Sequence, residues 1–103
     1  MFGFWTARQR AESNFLEGIR VLDRGDHDLA RCWFAEAVRI DRRFALGHLG
    51  CGLAHLRGGN FDAAIEDLSE AIRLSHDPRA YFLRGLCYQG KGDSLREETD
   101  RTE

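Results

Sequence analysis

The sequence predicts an all-α solenoid built from stacked antiparallel helix pairs. Three observations carry this reading: the chain matches itself at a shift of 34 residues, apolar residues recur at helical spacing on either side of each shared turn, and the turns repeat as Gly followed by Asp or Asn. GIRVLDRGDHDLARCWFAEAVRI (18–40) falls on GLAHLRGGNFDAAIEDLSEAIRL (52–74), pairing Gly18 with Gly52, Gly25 with Gly59, Ala30 with Ala64, Ala37 with Ala71 and Ile40 with Leu74. A further shift of 33 brings GLCYQGKGDS (85–94) onto the same frame, with Gly85 and Gly92 in the two glycine places.

Each element rests on local signals. Thr6 with Gln9 forms a capping box that opens a first helix over about 7–24. The equivalent turns read RGDHD, GGNFD and KGDSL: Gly suits a left-handed helix end, and Asp or Asn caps the next helix. Arg24-Gly25-Asp26 is therefore an interhelical turn and not an adhesion tripeptide, and Asp26, His27, Asp28 and Cys32 do not recur as a metal-binding set. A second helix spans 27–40, a third 44–57 with Phe44, Leu46, Leu49, Leu53 and Leu56 on its stripe, and a fourth 61–74 with Phe61, Ile65, Leu68, Ile72 and Leu74. Asp77 before Pro78 opens a fifth over 78–90, and Ser94 with Glu97 opens a weak sixth. Gly18, Gly52 and Gly85 in the first helices, and Ala30, Ala37, Ala64 and Ala71 in the second, mark close helix crossings.

Composition limits the function. With 103 residues and 43% apolar content the chain can bury one modest core. Charged residues are 31% of the chain and nearly cancel, to a net charge of −2, which gives no electrostatic reason to expect nucleic acid or an anionic membrane as a partner. The N-terminal MFGFWTARQR lacks the pattern of a secretory signal, and no apolar stretch nears the roughly 20 residues that span a bilayer. A soluble, cytoplasmic protein without membrane insertion is expected. Cys32, Cys51 and Cys87 are odd in number and form no C-x-x-C pair, so reduced thiols are expected.

The period, the Gly/Ala pattern and the paired helices resemble the tetratricopeptide repeat (TPR) family. The resemblance divides the chain into an aromatic N-terminal segment and helix start (1–10), two whole repeats (11–44 and 45–77), and a partial third with a polar tail (78–103), two and a half to three repeats in all. Departures lie in the first helices, where the family's aromatic is Asn14 or His48 and only Tyr81 conforms, and its Leu is Glu17, Cys51 or Arg84. In the third copy Glu97 stands where Ala is expected and Leu95 is the only large apolar residue of the second helix.

The resemblance implies a right-handed superhelix whose first helices line a concave, peptide-binding groove. It places Phe15, Ile19 and Leu22, then Leu46, Leu49, Leu53 and Leu56, then Arg79, Phe82, Leu83 and Leu86 on that groove. Some members grip a C-terminal carboxylate with Lys, Asn and Arg. Those places hold Phe15, Ile19, Gly50, Arg79 and Leu83 here, of which only Arg79 fits, so a carboxylate clamp is not expected. An apolar face of this extent calls for cover, either by a foreign apolar or amphipathic helix or by the chain itself, through an internal segment or a second copy.

A non-catalytic protein-interaction module is the leading expectation, and a self-assembling scaffold unit the alternative. For the latter, Phe2, Phe4 and Trp5 at one end and Tyr81 and Tyr88 at the other lack a core to enter, so homo-oligomerisation is expected unless the aromatic segment folds back and the tail forms a cap helix. His48, Cys51 and His55, spaced i, i+3, i+7, share one helical stripe and are a plausible zinc or copper set. The repeat frame turns that stripe toward a neighbouring helix, so packed, hydrogen-bonded histidines beside a buried thiol are expected, with no metal or other cofactor. No phosphate loop or nucleophile elbow is present, and the carboxylates lie on solvated helix faces, so no enzyme is expected.

Overall fold

A computed structural model describes residues 5–102, with side chains described through residue 92. Five helices succeed one another: α1 Ala7–Asp23, α2 His27–Ile40, α3 Ala45–Arg57, α4 Phe61–Ser75 and α5 Pro78–Thr102. The Thr6 hydroxyl accepts from Gln9 N at 3.1 Å while Thr6 N donates to Gln9 Oε1 at 2.8 Å, closing the box that starts α1. Gly25 and Gly59 adopt left-handed φ angles of 90° and 79°, so the chain reverses at the two places where Gly precedes Asp or Asn. Asp26 caps α2 by accepting from Leu29 N at 3.0 Å, whereas Asn60 holds the same place on α4 without a side-chain hydrogen bond.

Antiparallel neighbours pack as α1 on α2, α2 on α3, α3 on α4 and α4 on α5. The odd helices also touch, α1 with α3 and α3 with α5, while α2 and α4 do not. The odd helices therefore form the inner, concave layer and the even helices the outer one. Arg8 ties the start of α1 to the end of α2 through a 2.6 Å ion pair with Asp41, and its guanidinium lies over the Phe44 ring.

Small residues let the layers interlock. Ala30, Ala37, Ala64 and Ala71 are all within 1% of complete burial, as their recurrence in the sequence predicts. A Cβ placed on Gly18 would stand 2.5 Å from Phe34 Cε1, and one on Gly52 would stand 2.5 Å from Leu68 Cγ. α1 and α3 thus each present a glycine socket to a large apolar knob from the following helix. Phe34 and Leu68 fill the centres of two core clusters, one joining Val21, Leu22, Ala30, Cys51 and Ala54, the other Leu49, Ala64, Ala71, Ile72, Ala80 and Cys87. Among the described residues no polar or charged side chain is buried in either.

The expected sixth helix does not form, and Ser94 starts nothing new. α5 runs unbroken through Gly90, Lys91 and Gly92 to Thr102. A reversal at this turn is held in the other two copies by a following helix with an apolar stripe. The sequence DSLREETDRTE offers only Leu95 for that purpose, and its Leu, Arg and Glu residues are good helix formers. Lys91 Nζ lies 2.5 Å from Asp62 Oδ1, holding the middle of α5 to α4 across the site of the missing turn.

Candidate partner-binding groove

The inner layer of α3 and α5 carries an open depression of about 400 Å³, lined by Leu53, Pro78, Arg79, Phe82 and Leu83. α5 starts where Asp77 accepts from Arg79 N at 2.9 Å, and Pro78 at its first position has no N–H to leave unpaired. This start sets Phe82 one turn in, with its ring 67% exposed. Arg79 is the one charged side chain of the lining. Its guanidinium grips Asp77, with Nη2 to Oδ2 at 2.6 Å, and this hydrogen bond holds the Asp77 carboxyl below its ordinary range. The cation is thus engaged within its own turn, and the surface around it is apolar.

The residues expected on the groove divide into two sets. Leu53, Arg79, Phe82 and Leu83 come together on the depression. Leu22 and Leu49, 3% and 8% exposed, belong to the core clusters and offer no surface to a partner. Phe15 is half-buried, its ring centroid 5.5 Å from that of Phe34 and edge-on to Phe44 at 5.8 Å. Ile19, Leu46 and Leu56 are partly buried against the same cores, and Leu86 is partly buried on α5. Pro78 belongs to the lining although its place in the sequence marks it only as a helix start.

The aromatic ends are open where they are described. Trp5, Tyr81 and Tyr88 are 61%, 46% and 57% exposed. Trp5 and Leu16 flank a second hollow, of about 350 Å³, on α1 with Gln9, Glu12 and Ser13. Phe2 and Phe4 lie outside the described residues.

The stripe of His48, Cys51 and His55 meets α4 and the chain before α3. His48 Nε2 donates to the Arg42 carbonyl at 3.0 Å. His55 Nε2 stands 3.6 Å from Asp67 Oδ2, and His55 Nδ1 is buried without a hydrogen-bond partner among the described atoms, so only one of the two histidines is hydrogen-bonded as expected. Burial raises the Asp67 carboxyl above its ordinary range, and the two histidines act against that rise. Burial, with the Asp67 charge second, pushes the Cys51 thiol up to about 12. Metal ligation needs the thiolate, which this setting disfavours. Among the described residues no three His, Cys, Asp or Glu side chains are grouped to hold a metal ion.

Thiol reactivity is set by the same facts. Cys32 is exposed, and Cys51 and Cys87 are buried with their thiols shifted upward by desolvation. Iodoacetamide at mildly alkaline pH should add one carbamidomethyl group to the native protein, at Cys32, and three after denaturation. Intact mass against time reads this directly; fast labelling of Cys51 in the native state would contradict the burial of the α3 stripe.

Paired antiparallel helices with one inner layer define a helical-repeat solenoid, and residues 47–77 match the family model of the tetratricopeptide repeat. The fold is that of a TPR domain: a solved structure of the second TPR of Spaghetti (RPAP3), bound to the HSP90 peptide SRMEEVD, superposes with a TM-score of 0.79 over 92% of this chain and 89% of that chain, at 22% sequence identity. The sequence matches no curated protein. Among the described residues no helix is long and apolar enough to cross a membrane.

Proposed function

We propose that the protein is a non-catalytic interaction module that takes an apolar or amphipathic segment of another protein in the depression between α3 and α5. The observation that carries this reading is Phe82, two-thirds exposed on an inner surface that it shares with Leu53, Pro78, Leu83 and the paired Arg79. Monomeric proteins rarely leave such a surface without a use, and helical segments dock into apolar grooves through side chains spaced one turn apart. The TPR domain of similar fold is bound to an acidic peptide. Here the clamp positions are Phe15, Ile19, Gly50 and Leu83, and the one cation, Arg79, is paired with Asp77, so the ligand differs in chemistry: it is apolar rather than acidic.

Leu53→Glu with Phe82→Glu tests the reading, because both side chains line the depression; Leu53 also packs on the first core cluster, so Phe82→Glu alone is the companion variant that leaves the core untouched. Fluorescence anisotropy against a panel of amphipathic helical peptides, with SRMEEVD as comparison, should give binding to apolar-faced peptides that the double variant weakens at least tenfold at unchanged helicity. Tighter binding of SRMEEVD than of every apolar peptide would sink the proposal. Self-assembly is the second reading, favoured by the exposed tyrosines on a different face of α5.

A further inference from the structure

On α1 and α3 the side turned toward the following helix has one use: Gly18 receives Phe34 and Gly52 receives Leu68. The same side of α5 carries Tyr81, Gly85, Tyr88 and Gly92, spaced i, i+4, i+7, i+11 on one stripe. Among the described residues nothing lies within 4 Å of a Cβ placed on Gly85 or on Gly92, and both tyrosines are about half exposed. Among the described residues no helix comes after α5 to supply the knob. The socket that the fold fills twice stands open at its third occurrence.

We infer that this stripe is a two-fold docking face for a second copy of the chain, with the two α5 helices antiparallel, Tyr88 of each copy seated on Gly85 of the other and Tyr81 on Gly92. The order of the residues names the occupant. Gly85 and Tyr88, and Tyr81 and Gly92, share one midpoint along the helix, between Leu86 and Cys87. A two-fold axis there sets every tyrosine of one copy against a glycine of the other, as an isologous interface requires. An arbitrary foreign helix would need a complementary pattern of its own; this one supplies it to itself. The contact continues the antiparallel, aromatic-on-glycine packing of α2 on α1, and antiparallel helices oppose their dipoles. The stripe does not include the groove residues Phe82 and Leu83, so the inference stands or falls independently of the groove.

Sedimentation equilibrium of the full chain, from micromolar to near-millimolar concentration, should show a monomer–dimer equilibrium. Gly85→Glu places a charge in the socket, where an added Cβ has no described atom within 4 Å, and replaces a poor helix former, so it should weaken dimerisation at least tenfold without lowering the thermal midpoint at low concentration. In a Cys32→Ser background, mild oxidation of a mixture of Gly85→Cys and Tyr88→Cys chains should give a mixed disulfide dimer, and neither chain alone should cross-link to the same extent. A natural chain that stays monomeric across the range overturns the inference. So does a dimer that Gly85→Glu leaves unchanged, and so does one that is lost only in Trp5→Ala, which would put the contact at the opposite end of the molecule.

Discussion

Phe34→Ala should destabilise the protein by about 3 to 5 kcal/mol, the usual cost of removing a fully buried aromatic ring. Phe34 has no exposed surface, and its ring is held between Gly18 of α1 and Gly50 of α3 while packing on Phe15. One side chain of α2 thus fixes its contact with both the helix before it and the helix after it. Neither glycine has a side chain that can move into the space, so the cavity would stay open. Domains of this size are stable by roughly 5 to 15 kcal/mol, which makes the loss a large part of the whole. Urea unfolding followed by circular dichroism measures it, and a loss below about 1 kcal/mol would show that the ring is not the keystone its burial indicates.

Gly50→Leu should cost about 3 kcal/mol by overpacking, and Phe34→Leu added to it should restore most of that. A Cβ on Gly50 would stand 2.5 Å from Phe34 Cδ1, closer than carbon atoms approach. The second pair of helices shows the alternative solution. There the knob is Leu68, and the frame position of Gly50 is taken by Leu83, which packs against the same cluster. A large ring with a glycine in the first junction is exchanged for two leucines in the second, so total volume is shared out differently at equivalent places. A double-mutant cycle on unfolding free energy decides it. Additive losses in the double variant would mean that the two junctions are packed by unrelated rules.

Local signals in the sequence predict the structure best where the physics is itself local. The start of α1 and the turns from α1 to α2 and from α3 to α4 are legible in Thr6, Gly25, Asp26 and Gly59, because capping and left-handed turns are settled within a few residues. The expected turn at Gly92 fails because the same Gly-Asp pair reverses the chain only when a following helix has apolar residues to bury, a condition that lies outside the motif. The groove is half legible for a related reason. An apolar stripe on an inner helix such as α3 faces a neighbour on each side as well as the concave surface, and spacing alone does not say which neighbour a leucine meets. Leu53 thus lines the depression while Leu49, one turn away, is core. Pro78 is visible as a helix start, but its surface role depends on how closely α5 approaches α3.

Among the described residues α5 touches α3 and α4 but neither α1 nor α2, so this helix is secured from one side. The depression is built half from that helix. Whatever occupies it grips Leu53 on α3 and Phe82 on α5 at once, and so acts as a tie between the body of the molecule and its last element. Part of the binding energy would then appear as added order in α5 rather than as affinity, by the linkage that lets any ligand of the native state stabilise it. If the depression takes a partner as proposed, recognition and the order of α5 become one equilibrium seen from two sides.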